Sequence, residues 1–209
     1  MAAKLARAVC DADCLRTKEF FEATETFARV RKRVRRPVVA DLCCGHGLTG
    51  MLFAVFEPQI DRVELVDRSL PPYHEPLLEA VASVAPWVRD KVRFRPASIG
   101  AARGFLPGGV GVVAVHACGA RTDRVLDLAM EKRGPVAVVP CCYSKMAFQG
   151  SPGIRSGLGL ATATDAERTL RLERAGYSVR WTRLPDGITK MPRILMATPA
   201  PAPDPTDAD

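Results

Sequence analysis

Apolar residues at Phe20, Phe21, Ala23, Phe27, Ala28 and Val30 recur close to the helical period, so residues 18–34 read as an amphipathic helix leading into the body of the chain. Short apolar runs separated by Gly, Pro and polar turns then mark strands at 37–42, 63–67, 92–99, 110–117 and 135–139. Helical stretches lie between them at 48–56, 75–88 and 122–132; Pro58 stops the first, and the second follows the break at Pro71 and Pro72. The run 110–117 is almost wholly apolar, as a strand covered on both faces requires, and takes a central position. Residues 146–160 are rich in Gly and Ser and read as a mobile loop or lid. A helix at about 164–175 follows, then two closing strands at 177–184 and 188–198 around the turn Pro185-Asp186-Gly187. This order predicts an α/β fold, a doubly wound, mostly parallel seven-stranded sheet with a C-terminal antiparallel hairpin, with ligands at the carboxyl ends of the strands. The expected division is an N-terminal basic helical segment at 1–36, the sheet domain at 37–199 and a disordered tail at 200–209.

With 209 residues the chain has room for one well-filled core, but not for a dinucleotide domain plus a separate catalytic domain. Charges interrupt its apolar runs, and Met1 to Cys10 lacks a continuous export signal, so a soluble, cytoplasmic protein is expected. Seven cysteines are an odd number, and the adjacent pairs Cys43-Cys44 and Cys141-Cys142 suit a disulfide framework poorly; reduced thiols are expected. The net charge of +7 changes the picture more. Arg29, Arg31, Lys32, Arg33, Arg35 and Arg36 concentrate cations that can neutralise phosphates, which makes RNA the expected partner; a solvated helix end is the plainer use of the same residues. Nothing in the sequence bears on oligomeric state.

The chemistry gathers after the first strand, where Asp41 is followed by Cys43, Cys44, Gly45, His46, Gly47 and Gly50. Glycines there let a ligand approach the backbone while the next helix turns its partly positive end toward it. The spacing Gly45-x-Gly47-x-x-Gly50 also fits a dinucleotide site, but Asp41 would repel a pyrophosphate and suits the ammonium group of a methionine moiety. Asp67, 20 residues beyond Gly47 at the end of the second strand, is placed to accept hydrogen bonds from ribose hydroxyls. Ser98 and Ile99 occupy the loop where adenine is held in such sites. Residues Asp41, Cys43, Gly45, Gly47, Asp67, Ser98, Ile99, His116 and Ala117 form the candidate cofactor set.

Two more specific elements follow the fourth and fifth strands: His116-x-Cys118-Gly119-x-x-Thr122-Asp123 and Pro140-Cys141-Cys142-Tyr143. With the glycine turn, they resemble the class I methyltransferases that include the Trm13 transfer-RNA ribose methyltransferases and the methyltransferase-like protein 25 group, over residues 18–198. Cys43-Cys44 and His46 depart from that pattern. The resemblance implies a methyltransferase that uses S-adenosyl-L-methionine, here with RNA as the expected substrate. Small-molecule or protein methylation is the alternative, and an NAD-dependent oxidoreductase or a non-catalytic RNA- or metal-binding protein are the competitors of other classes. Methyl transfer needs an aligned acceptor and, for a hydroxyl, a group that takes its proton; Tyr143, Lys145 and His116 are the catalytic candidates, and Asp123 is either a further one or a helix cap. Strand adjacency brings Cys43 or Cys44, Cys118, and Cys141 or Cys142 together. Adjacent cysteines lack the spacing of zinc ligands, so packing is their expected role and no metal is expected.

Overall fold

The computed structural model describes residues 1–145, 148 and 150–200. In chain order its elements are α1 (Ala2–Asp11), α2 (Thr17–Val34), β1 (Val38–Leu42), α3 (Leu48–Phe56), β2 (Arg62–Asp67), α4 (His74–Val84), α5 (Val88–Lys91), β3 (Val92–Pro96), α6 (Ile99–Ala102), β4 (Gly111–Val115), α7 (Ala120–Lys132), β5 (Val136–Val139), α8 (Pro152–Arg174), β6 (Tyr177–Arg183) and β7 (Arg193–Pro199). The seven strands form one sheet in the order β3-β2-β1-β4-β5-β7-β6. All neighbours pair in parallel except β7, which runs antiparallel to both β5 and β6. This is the doubly wound sheet with a closing hairpin that the alternation of elements predicts. The order reverses between β1 and β4, which opens a crevice at their carboxyl ends.

Alternate residues of each strand serve opposite layers. Val39, Val63, Leu65 and Val113 face the layer of α1 to α5, whereas Ala40, Val66, Val112 and Ala114 face α6, α7 and α8. In α2 the stripe Glu22, Ala23, Thr26, Phe27, Val30 and Val34 is buried at helical spacing, and burying Val30 and Val34 fully stabilises the helix on the sheet by about 1.5–3 kcal/mol each. Among the described residues no helix is long and apolar enough to cross a membrane.

Several boundaries differ from those read off the pattern. Within the expected helical segment 1–36, α1 is not anticipated as a separate helix, because its apolar stripe amounts to Leu5 and Val9 among small and charged neighbours, yet both are buried and α1 packs on α4. The stretch 75–88 divides into α4 and α5 at Ala85 and Pro86. Strand β3 stops at Pro96, and the Ser98 side chain caps the single turn α6 by accepting from the Ala101 amide. The expected lid is largely helix: Ser151 caps α8, Pro152 takes its first turn, and Gly159, at φ 74° and ψ 161°, breaks it into two pieces. Gly and Ser there encode a cap and a kink rather than a loop. Met146, Ala147 and Gln149 of that stretch lie outside the described residues, as does the expected tail beyond Ala200. Strand β7 begins at Arg193 rather than Ile188, since the hairpin closes with the Leu184 amide donating to the Pro192 carbonyl at 2.7 Å.

Candidate active site

The turn after β1 puts Cys43, Gly45 and Gly47 in the left-handed region, at φ 57°, 51° and 86°. At Gly47 a Cβ would also meet Leu65 Cδ1 at 2.7 Å, so only glycine fits; at Gly45 nothing lies within 4 Å of where a Cβ would be, and that side of the turn is open to a ligand. Gly50 seats α3 against the sheet, with a hypothetical Cβ 2.3 Å from Leu65 Cδ2. Asp41 is 1% exposed and its Oδ2 accepts from the Gly50 amide at 2.9 Å. Burial pushes its carboxyl up to about 7, against the pull of the Gly50 bond and with a smaller push from Asp67. A cation arriving beside it would therefore complete its ionisation. His46 Nδ1 accepts from the Leu48 amide at 3.0 Å, which leaves the ring proton on Nε2; burial lowers the pKa and keeps the ring neutral.

Two cavities meet at this turn. One of about 300 Å³ is lined by Asp67, Ser98, Ile99, Arg103 and Arg124 among others. The second, of about 220 Å³, is lined by Glu19, Glu22, Asp41, Gly45, His46 and His116 among others. Cys43, Asp67 and Arg121 line both, so the two form a jointed trough across the carboxyl ends of β1, β2 and β4. Asp67 stands at the joint: one carboxylate oxygen accepts from the Gly45 amide at 3.0 Å, the other from the Arg68 amide at 2.7 Å. Burial first, and Asp67 second, raise the Cys43 pKa, while Arg121 opposes the rise.

Of the sequence candidates, Asp41, Cys43, Gly45, Asp67, Ser98, Ile99 and His116 line the trough. Gly47 shapes the turn behind it. Ala117 is buried and its carbonyl accepts from the Thr122 hydroxyl. His116, left-handed at φ 63°, directly follows β4 as Cys43 directly follows the adjacent β1, so strained backbone caps two adjacent strands at the crevice. Its Nε2 lies 3.0 Å from Glu22, a buried carboxylate of α2 that also pairs with Lys18 at 3.4 Å. Glu22 and Arg121 were missed by the sequence reading. Each carried a signal: an acid within the apolar stripe of α2, and a cation in the first turn of α7, where the helix dipole disfavours it.

Tyr143 and Lys145 are not among the residues that line the trough. The Tyr143 hydroxyl donates to Asp165 Oδ2 at 2.6 Å, and burial, then that bond, raise its pKa. Asp165 is fully buried and also pairs with Arg168 at 3.1 Å and Arg193 at 2.8 Å. Asp123, instead of capping α7, accepts a two-pronged bond from Arg168 at 3.0 and 2.9 Å. Tyr143 lines a separate cleft with Trp181, Arg183, Lys190 and Arg193 at the β6–β7 end, where the Arg193 guanidinium sits 4.8 Å over the Trp181 ring. Lys145 is exposed.

The cysteines correct the sequence reading most clearly. Cys118 and Cys141 form a disulfide with Cα atoms 5.8 Å apart, because the register of Val115 opposite Val139 carries the two following loops side by side. The basic segment is partly committed to structure: Arg31 and Arg35 both pair with the buried Glu57, and Arg29 pairs with Glu25 and donates to the Arg183 carbonyl. Lys32, Arg35 and Arg36 are exposed.

Residues 15–149 match the model of a family described as a methyltransferase domain. A Xenopus laevis protein described as glutathione S-transferase C-terminal domain-containing is 30% identical over 105 residues; the match covers 50% of this chain and 16% of that protein, so the chain spans well under a fifth of this relative. Among solved structures, an rRNA methylase from Streptococcus thermophilus superposes with a TM-score of 0.54 at 10% identity, covering 90% of this chain and 99% of that one. Precorrin-6y C5,15-methyltransferase from Geobacter metallireducens gives 0.55 at 16% identity, covering 83% and 86%. A candidate methyltransferase from Streptococcus mutans, solved in complex with SAH, gives 0.53 at 12% identity, covering 83% and 94%. At such identities these likenesses speak for the fold.

Proposed function

This chain belongs to the methyltransferase-domain family, and from that premise we propose that it transfers a methyl group from S-adenosylmethionine to RNA. The observation that carries the cofactor reading is the jointed trough. Its larger cavity offers Ile99 as an apolar wall for a base and Asp67 for a ribose diol, and its smaller one offers acids for an ammonium group and, at the joint, Arg121 for a carboxylate. The open side of Gly45 admits the ligand to van der Waals distance of the backbone. When bound, the cofactor supplies an electrophilic methyl group on a sulfonium. The chain's part is to hold that group against an acceptor: Asp67 and Arg121 grip the cofactor at the joint, His46 keeps an N–H donor on the wall, and His116 stands where the trough meets a further cavity shared with Cys141 and Lys190.

RNA as acceptor, transfer or ribosomal, is supported by the net charge, by the cleft of Trp181 with Arg183, Lys190 and Arg193, which offers a stacking surface among cations, and by the resemblance of the elements after β4 and β5 to the Trm13 and methyltransferase-like protein 25 group. The exposed cations at the C-terminal end of α2 lie about 27 Å from its N-terminal end at the trough, the length of an 18-residue helix. A folded RNA reaches both; a single nucleotide does not.

The test is transfer of a labelled methyl group to cellular RNA, protein and small-molecule fractions in parallel. Label in nuclease-sensitive material, weakened by salt and by Lys32→Glu with Arg36→Glu, is the expected outcome. Label confined to protein or small molecules would overturn the RNA reading, and failure to bind S-adenosylhomocysteine in calorimetry would overturn the cofactor reading.

A further inference from the structure

Three sulfurs lie together beside the trough, and the methyl-transfer reading uses none of them. Cys118 follows β4, and Cys141 and Cys142 follow β5; their Sγ atoms all lie within 4.8 Å of one another. Two are joined as the Cys118–Cys141 disulfide, and the third, Cys142, is exposed and free. Cys43 and Cys44, the other pair at a strand end, do not join the group. Cys141 Sγ sits 3.9 Å from the His116 carbonyl, and both residues line the cavity bounded by Lys18 and the loop 187–191. The cluster therefore opens onto a space large enough for a ligand.

We propose that Cys118, Cys141 and Cys142, once reduced, form a three-thiolate site for a soft divalent cation, zinc being the type. The disulfide is the oxidised form of this site. A dithiol reductant converts it: the Cys118–Cys141 bond breaks, each sulfur gains one electron and one proton, and the reductant leaves as its own disulfide. Binding Zn²⁺ then forms three Zn–S bonds as the three thiols give up their protons to solvent.

The objection from sequence is that adjacent cysteines lack the spacing of zinc ligand pairs. The fold answers it by bringing the third sulfur across from the neighbouring strand, through a register fixed by four β4–β5 pairs. Three sulfur ligands leave one of zinc's four usual positions for a molecule entering the cavity, the pattern of sites that act on a ligand rather than hold a fold together. Disulfide and metal exclude each other, because a sulfur bonded to sulfur cannot serve as a thiolate ligand.

The experiment uses the whole chain, reduced anaerobically with a phosphine and freed of it, then titrated with Co²⁺ and followed by absorption. Thiolate-to-cobalt charge-transfer bands saturating at one equivalent and displaced by Zn²⁺ are expected, with none in the oxidised protein. Cys118→Ser and Cys142→Ser should each weaken binding at least tenfold, while Cys43→Ser leaves it unchanged. Reduced protein without these bands, or binding that survives both substitutions, overturns the proposal. The comparison of reduced with oxidised wild type decides even where a variant misfolds. Because the readout is metal binding, its outcome is separate from that of the methyl-transfer assay.

Discussion

The two ends of the crevice are built differently. Around β1 to β3, side chains serve the nearby backbone: Asp41 holds the Gly50 amide, Asp67 the Gly45 amide, and His46 the Leu48 amide. Around β4 to β7, side chains hold one another across long stretches of chain, with Arg168 on Asp123 45 residues away and Arg193 on Asp165 28 residues away. The first end presents a shaped trough with polar groups facing in. In the second the charges of Asp165 and Arg168 are spent internally, and Trp181, Arg183 and Lys190 line the cleft beside them, where the proposed acceptor would bind. A common cofactor asks for a fixed cradle, whereas an acceptor site rests on a frame whose surface can vary.

The contrast breaks hardest at Asp165. Asp165→Ala leaves Arg168 buried without one of its two partners and takes a carboxylate partner from Arg193 and Tyr143, and should cost about 3–5 kcal/mol in urea unfolding. If the two ends are independent, S-adenosylhomocysteine affinity of the remaining folded protein stays near that of the parent; a matching loss would show one coupled unit. The converse is Asp67→Ala, which should weaken S-adenosylhomocysteine binding by about 1–3 kcal/mol in calorimetry with the fold intact, the cost of polar partners left unpaired. Unchanged affinity would reduce Asp67 to a brace for Gly45.

Tyr143→Phe comes next. Its hydroxyl donates to Asp165 and burial raises its pKa, so the variant should lose about 0.5–1.5 kcal/mol of stability with turnover changed less than about tenfold. A loss on the order of 10²-fold at unchanged cofactor affinity would return Tyr143 to proton transfer. The smallest effect on affinity concerns Asp41. Its carboxyl, at about 7 in the folded chain against 3.8 for an exposed one, keeps its proton longer folded than unfolded, so the stability of the unliganded protein falls as pH rises between those values. S-adenosylhomocysteine carries an ammonium group that favours the ionised form, so its affinity should rise a few-fold through about pH 7. Asp41→Asn, which keeps an acceptor for Gly50, should flatten both profiles.

What the sequence disclosed follows the same division. The glycine turn, Asp41 and Asp67 were legible because their roles depend on neighbours a few residues away or on a strand end. The doubly wound sheet with its closing hairpin followed from the alternation of elements. Helix α1 was not legible, since a stripe of Leu5 and Val9 becomes meaningful only once α4 covers it. Nor was the disulfide, which depends on a register that no local pattern states. Tyr143 and Asp123 were open to catalytic or capping readings in isolation, and Asp165 carried no local signal; only packing α8 against the sheet joins the three in one polar frame.

The shared wall at Cys43, Asp67 and Arg121 has a consequence for inhibition. Two small fragments, one in each cavity, would both come to rest against that wall, a single short spacer apart. Joining them replaces a second independent encounter with an intramolecular one at a millimolar-scale local concentration, on the order of what short flexible linkers provide.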